Sequence, residues 1–325
     1  MDGHRHRLLV TRALTPKAMA FADDRFSVWC HPHDRIMNAP ELLDAALDHG
    51  ADALLVTAFD RLDRRMVEGL PPSVKVIATY SVGHNHIDLA AAADRGIAVL
   101  STPDVLSDTV AEMALLLMLA AARRAHEGQR LIYDGQWAGW TPTLLLGRDV
   151  VGARLGIFGM GRIGRSVARR AGRGFDMEVG YHNRSRLPVE LEEGAVYHAS
   201  ADELLSVSDF LVLTAPSTPQ TARFLDTARI ARLPRGAIVV NVARGDLVDD
   251  AALIAALREG QVAAAGLDVF DNEPHIHPGY LDLPNVFLQP HQGSSTLGTR
   301  IRMAELLITS IGAALAGAPV TNRIA

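Results

Sequence analysis

The chain has 325 residues, of which 48 % are hydrophobic, 21 % charged and 5 % aromatic. That composition gives room for two folded domains and excludes a disordered or low-complexity protein. A net charge of −5 creates no overall basic field, so neither nucleic acid nor an anionic membrane is an expected partner and any bound anion must be gripped locally. Cys30 is the only cysteine, which excludes an intramolecular disulfide, and the opening "MDGHRHRLLV" lacks the apolar core of a secretory signal, so a cytoplasmic setting is expected.

In chain order, "RLLVTRAL", "FSVWC", "ADALLVTA", "VKVIATY" and "IAVLST" read as strands, with "PELLDAALDHG" and "HIDLAAAADRG" as helices ending at glycine. A helix is expected next, from roughly Asp108 to Tyr133. Its most apolar stretch, Met113 to Ala122, spans ten residues, well short of the roughly 20 that a bilayer crossing requires. The segment "DGQWAGWTPTLLLGRDVVG" is then a loop by its Gly, Trp and Pro content and marks a boundary. From Arg154 the alternation restarts, with "RLGIFG", "MEVGYH", "DFLVLTAP", "AIVVNVA", "VAAAGLDVF" and "VFLQPH" as strands. The pattern predicts an α/β protein of two doubly wound parallel-sheet units. A last helix, Leu297 to Leu315, follows the final strand and is expected to return to the first domain, which would make that domain discontinuous.

The segment "LGIFGMGRIGRSVARR" sets Gly159, Gly161 and Gly164 in G-x-G-x-x-G spacing, with Arg162 and Ile163 at the start of the following helix. The first glycine permits a tight turn, the second lets the backbone approach a pyrophosphate, and the third lets helix pack closely on strand, while the helix N-terminus favours the anion. A purely structural turn is the alternative, and the strand-loop-helix context argues against it. About 20 residues further on, an acid usually accepts the hydroxyls of the adenosine ribose. Here that place, 19 residues after Gly164, holds Asn183, followed by Arg184, Ser185 and Arg186. An acid would repel a ribose 2′-phosphate, whereas forked guanidinium donors would bind one, so NADP(H) is expected over NAD(H). The competing reading is a solvated turn with incidental arginines.

Three more stretches, "NVARGDLVD", "GLDVFDNEP" and "QPHQGSST", each put a polar candidate after a strand: Arg244, Glu273 and His291. Ligands of open α/β sheets bind at the carboxyl ends of strands, so these residues could converge although 29 and 18 positions separate them. Such a set suits reduction of a 2-oxo acid. The guanidinium grips carboxylate and carbonyl oxygen, the imidazolium protonates that oxygen, and the carboxylate favours the protonated ring. Taken singly, each residue has an ordinary reading, as a surface ion pair or a structural hydrogen-bonder.

Taken together, the glycine loop, "NVARG", "GLDVFDNEP" and "PHQGSST", in this order, resemble the signatures of the D-isomer-specific 2-hydroxyacid dehydrogenases, above all the glyoxylate/hydroxypyruvate reductases. "YSVGHNHID" and the entry "W…LLG…VGARLGIFGMGRIG" extend the resemblance over nearly the whole chain. It implies a Rossmann-like coenzyme domain, residues 104–291, inserted in a flavodoxin-like catalytic domain, residues 1–103 and 292–325, with a hinge that closes on the substrate. It also implies Arg244 as substrate anchor, Glu273 as partner of the acid, His291 as proton donor or acceptor, and backbone amides around Val82 and Gly83 for the substrate carboxylate. Asp268 would approach the nicotinamide amide, with Pro216 and Thr221 near the adenosine half. The resemblance further implies a homodimer built around the long helix, with Trp137 or Trp140 reaching the partner's pocket.

Formate dehydrogenases of the same superfamily carry glutamine where Glu273 stands, so the glutamate argues for carbonyl reduction. Ser295 stands where the family often has alanine. Two alternatives remain open: a sugar-acid reductase acting on 2-keto-D-gluconate, and a dinucleotide-sensing interaction protein like the corepressors that share this fold. The histidine pairs at 4 and 6, 31 and 33, and 84 and 86 invite a metal reading, but no cysteine or carboxylate cluster completes a ligand set, and no metal is expected.

Overall fold

The structure, a computed structural model, describes residues 5–325. Alternating apolar strands and helices divide it into two compact units, Met1–Leu106 with Ser294–Ala325, and Ser107–Gly293.

In the first unit, β1 (Arg7–Val10), β2 (Ser27–Cys30), β3 (Ala53–Val56), β4 (Val76–Thr79) and β5 (Ala98–Leu100) form a parallel sheet in the order β2-β1-β3-β4-β5. Strands β3 and β4 are buried along their whole length, as expected where both faces of a parallel sheet are covered. Successive side chains go to opposite faces. Leu9, Leu54 and Val56 therefore join Leu42 and Ala46 of the Ala39–His49 helix in one core, while Leu8, Val10 and Leu55 join Leu307, Ile308 and Ile311 of the Leu297–Leu315 helix in another. Burying each of those last three side chains contributes up to about 1.5–3 kcal/mol. The Ala39–His49 helix is bounded by its own chemistry: a capping box between Asn38 and Glu41, and Gly50 at φ 61° in the left-handed region. Short helices at Pro16–Asp23 and Arg64–Gly69, which the sequence pattern did not announce, and at Leu89–Asp94, which it did, complete the unit.

The second unit holds β6 (Arg154–Phe158), β7 (Glu178–His182), β8 (Val196–Tyr197), β9 (Phe210–Leu213), β10 (Ala237–Asn241), β11 (Val262–Leu267) and β12 (Val286–Leu288). All pairings are parallel and the order is β12-β11-β10-β9-β6-β7-β8. The strand order reverses between β6 and β9, the place where doubly wound sheets bind ligands. Strand β8, two residues long on the edge beside β7, has no sequence pattern of its own.

The single helix expected from Asp108 to Tyr133 is two helices, Ser107–Ala122 and Ala125–Tyr133. The break lies at Arg124, with φ 55°. The carbonyl of Ala122 accepts the N–H of Arg148 at 2.9 Å instead of continuing the helix, and Arg124 clamps Glu127 through bonds of 2.9 and 2.7 Å. The break depends on a chain segment that returns from 26 residues away, so no local signal announces it. Among the described residues, no helix is long and apolar enough to cross a membrane.

Candidate active site

Strands β10, β11 and β12 are neighbours in one parallel sheet, so the loops that leave their carboxyl ends lie side by side. Those loops carry Arg244, Glu273 and His291. Gly245 and the β11 loop touch so closely that a Cβ on Gly245 would fall 1.7 Å from the carbonyl carbon of Phe270. Only glycine allows this approach, and it brings the Arg244 loop against the Glu273 loop.

Within the cluster, His291 Nδ1 lies 2.6 Å from Glu273 Oε2. The other carboxylate oxygen accepts the N–H of Phe270 at 2.8 Å, which fixes the carboxylate plane. Glu273 is 16 % and His291 32 % exposed at the side chain, so the pair is sheltered while the ring keeps an open side. His291 adopts φ 53°, a region that costs a non-glycine residue energy and in which histidine is among the more tolerated types. Its N–H is held by the carbonyls of Asp268 at 2.9 Å and Gln289 at 3.1 Å.

Arg244 is half-buried, and its Nη1 donates to the carbonyl of Ala243 at 2.6 Å. Burial lowers its pKa, against the opposing charges of Glu273 and Asp246; an arginine stays protonated under such a load. Asn241 shapes the turn before it, accepting from Ala243 N at 3.0 Å and donating to Arg244 O at 2.8 Å. Asp268, almost wholly buried, accepts the N–H groups of Gln292 and Gly293 at 2.7 Å each. Burial raises its pKa, with those amides and His291 acting the other way.

On the far side of the switch point the three glycines of the fingerprint differ in what surrounds them. Gly159, at φ 104°, would put a Cβ 2.4 Å from Ala215 N, and Gly164 would put one 2.5 Å from the Gly159 carbonyl oxygen. A Cβ on Gly161 would meet nothing within 4 Å among the described residues. That open face stands at the N-terminus of the 14-residue Arg162–Phe175 helix, which has no side-chain cap and whose first turn holds Arg162 and Ile163. The donor set fits a dinucleotide pyrophosphate. Asn183, after β7, accepts the N–H of Met160 at 2.7 Å through Oδ1, so it braces the glycine loop and leaves its NH2 group as donor. Arg184, Ser185 and Arg186 are all exposed on the following turn. Arg186 is engaged by Glu192, at 2.8 Å from Nε and 3.1 Å from Nη2, a contact the sequence did not announce. After β9, Thr221 donates to the Pro216 carbonyl at 2.7 Å and accepts from Thr218 N at 2.8 Å. The neighbouring Ser217 donates to Asp246, which ties this turn to the Arg244 loop.

Val82 and Gly83 belong to the first unit, on the loop after β4. Ser81 Oγ accepts or donates to Thr79 Oγ1 at 2.7 Å and bonds the Gly83 carbonyl at 2.6 Å, which bends the loop. Trp137 and Trp140 are exposed on the segment after the Ala125–Tyr133 helix, and Ser295 is exposed just before the last helix. His6, His31, His33 and His86 have ordinary surroundings, whereas His84 Nδ1 is buried with no hydrogen-bond partner among the described residues. His6 faces Asp52 at 3.4 Å, His31 binds the backbone of His33, and His86 meets Thr79 at 2.9 Å; His4 lies outside the described residues. Among the described residues no group of three or more such side chains could hold a metal ion.

Comparison with known proteins decides the family. The D-isomer specific 2-hydroxyacid dehydrogenase NAD binding domain matches residues 115–293. The glycerate dehydrogenase of Hyphomicrobium methylovorum is 43 % identical over 98 % of this chain and 99 % of its own. The chain belongs to the D-isomer-specific 2-hydroxyacid dehydrogenases. The glyoxylate reductase of Thermococcus onnurineus (strain NA1) is 40 % identical over 94 % of this chain and 91 % of its own. An NADPH-dependent glyoxylate/hydroxypyruvate reductase from Sinorhizobium meliloti, solved in complex with NADP and malonate, superposes with a TM-score of 0.87 at 30 % identity, covering 99 % of this chain and 97 % of that one. This dehydrogenase therefore shares with solved relatives both of its parallel-sheet units.

Proposed function

We propose that this dehydrogenase reduces a small 2-oxo acid, glyoxylate or hydroxypyruvate, to its 2-hydroxy acid with NADPH. The observation that carries the reading is the 2.6 Å contact of His291 with Glu273, beside the half-buried cation of Arg244. The bound coenzyme supplies the hydride. His291, its Nδ1 side occupied by the carboxylate, presents Nε2 as the proton donor to the carbonyl oxygen of the substrate. Glu273 holds the ring's orientation through that contact. Arg244 offers a forked pair of N–H donors to the substrate carboxylate and carbonyl. Backbone amides at Val82 and Gly83 take the rest of the carboxylate.

On the coenzyme side, Gly159, Gly161, Arg162, Ile163 and Gly164 hold the pyrophosphate, Pro216 and Thr221 flank the adenosine half, and Asp268 accepts from the nicotinamide amide. Asn183, Arg184, Ser185 and Arg186 recognise the 2′-phosphate. The relative from Sinorhizobium meliloti supports NADP(H), since it is NADPH-dependent and was solved with NADP. The unit Met1–Leu106 with Ser294–Ala325 serves as substrate domain and Ser107–Gly293 as coenzyme domain. Ile132, Tyr133, Trp137 and Trp140 are large, exposed, mostly apolar side chains on and after the Ala125–Tyr133 helix, which supports a homodimer through this region.

Steady-state assays of a 2-oxo acid panel, each with NADPH and with NADH, test the proposal. Turnover confined to sugar-derived 2-oxo acids, or none at all, would overturn the substrate assignment.

A further inference from the structure

Arg186 sits on the exposed turn after β7, yet it is not a loose surface cation. Its Nε and Nη2 donate to the two oxygens of Glu192 at 2.8 and 3.1 Å. The Glu192 side chain is 6 % exposed, against 58 % for Arg186. A second donor reaches the same carboxylate: the hydroxyl of Tyr181, a fully buried residue of β7, donates to Glu192 Oε1 at 2.7 Å. That hydroxyl also accepts the N–H of Leu187, the residue after Arg186, at 3.0 Å. Tyr181, Glu192, Arg186 and Leu187 thus close a ring that ties the turn to the sheet.

The geometry sets which edge of the guanidinium is spent. A carboxylate lying along the Nε/Nη2 edge uses two of the five N–H donors and leaves the end formed by Nη1 and the outer Nη2 hydrogen facing away from Glu192. That end is the one that takes a phosphate in forked fashion. Hydrogen bonds from Arg186 and then from Tyr181 hold the pKa of the Glu192 carboxyl down at about 2, so the pair is ionised throughout the working range. An exposed arginine ordinarily loses much rotamer freedom on gripping a ligand; this one is already ordered.

We infer that Glu192 is a positioning residue for coenzyme selection, which holds Arg186 end-on to a nucleoside 2′-phosphate. The inference rests on the NADPH reading above. Two effects of Glu192 compete. Its negative charge repels a phosphate, but from the far side of the guanidinium, whose own positive charge lies between them. Loss of the ordered fork outweighs that repulsion, so removing the charge weakens phosphate binding.

The test is calorimetric titration of the whole enzyme with adenosine 2′,5′-bisphosphate and with 5′-AMP, for the wild type, Glu192→Gln and Tyr181→Phe, alongside kinetics with both coenzymes. Glu192→Gln should bind the bisphosphate about 5- to 20-fold more weakly with 5′-AMP unchanged. KM for NADPH should rise while kcat and the NADH parameters hold. Tyr181→Phe should shift the same quantities in the same direction by less, and it carries the test if Glu192→Gln fails to fold. Equal or tighter bisphosphate binding by a folded variant, in an enzyme whose wild type prefers the bisphosphate, overturns the positioning role and leaves the NADPH reading intact. A wild type that binds both nucleotides equally overturns the NADPH reading and this inference with it. Parallel weakening toward 5′-AMP marks Glu192 as merely structural and also overturns it.

Discussion

Glu273 engages His291 at 2.6 Å with one oxygen and the N–H of Phe270 at 2.8 Å with the other. The carboxylate is thereby held in one orientation from both sides, and the imidazole is oriented through its Nδ1. His291→Gln removes the proton donor and should lower kcat by about 10²–10⁴-fold with the KM for coenzyme little changed. Glu273→Gln keeps a hydrogen bond but not the charge, and should produce a smaller loss. Stopped-flow measurement of NADPH oxidation checks both, and undiminished turnover in His291→Gln would sink the mechanism.

Arg244 offers geometry as well as charge. Lysine would supply the charge without the fork, so Arg244→Lys should raise KM for the 2-oxo acid and lower kcat/KM by roughly 10²-fold or more, worth about 3 kcal/mol. A variant with wild-type kcat/KM for glyoxylate would remove Arg244 from the site.

Arg184 is exposed on the turn beside the braced Asn183, where its guanidinium can reach a ligand from solvent. Arg184→Ala should lower kcat/KM with NADPH about tenfold, the order of one charge-assisted contact, and leave NADH almost untouched. An unchanged ratio of the two coenzymes would make this arginine an ordinary solvated residue.

The Glu192 carboxyl is lowered from the usual 4.5 to about 2, first by Arg186 and then by Tyr181. A carboxylate whose folded pKa is depressed adds stability that is fully present above the unfolded value and disappears as pH falls through the folded one. Thermal melts should therefore show stability falling between about pH 4.5 and 2, and Glu192→Gln should flatten that fall while lowering stability at neutral pH. Identical acid slopes in the two proteins would count against the ion pair.

Gly245 has no room for a methyl group, whose carbon would lie 1.7 Å from the Phe270 carbonyl carbon. Gly245→Ala must push the Arg244 and Glu273 loops apart, at a cost of about 3 kcal/mol, which lowers Tm by roughly 6–12 °C. Calorimetry reads the stability and the same sample reads activity; a variant as stable and active as the wild type would show that the two loops need not touch.

Much of this architecture was legible in the residues. Strands β1–β7 and β9–β12 announced themselves because a parallel sheet covered on both faces needs continuous apolar runs, and the last helix was bounded by its periodicity at Leu297 and Leu315. The glycine loop was legible from its spacing between strand and helix: Gly159 and Gly164 answer steric demands that no other residue meets, and Gly161 leaves the open face. Arg244, Glu273 and His291 could be picked out as polar groups that follow strands, since the ends of parallel strands gather on one side of a sheet.

Other features belong to the tertiary structure alone. The helix break at Arg124 arises from a carbonyl captured by distant Arg148, and β8 exists only because β7 offers it an edge. Arg184, Ser185 and Arg186 read together as donors to a 2′-phosphate, with Asn183 in the place of the usual acid, but the fold gives them different surroundings: Asn183 braces Met160, Arg186 is held by Glu192, and Arg184 stands exposed. Local sequence encodes which chemistry is available, through residue type and period. Only the packed chain decides which donor edge is already occupied, because a hydrogen bond between Arg186 and a buried carboxylate depends on where Tyr181 places that carboxylate in space.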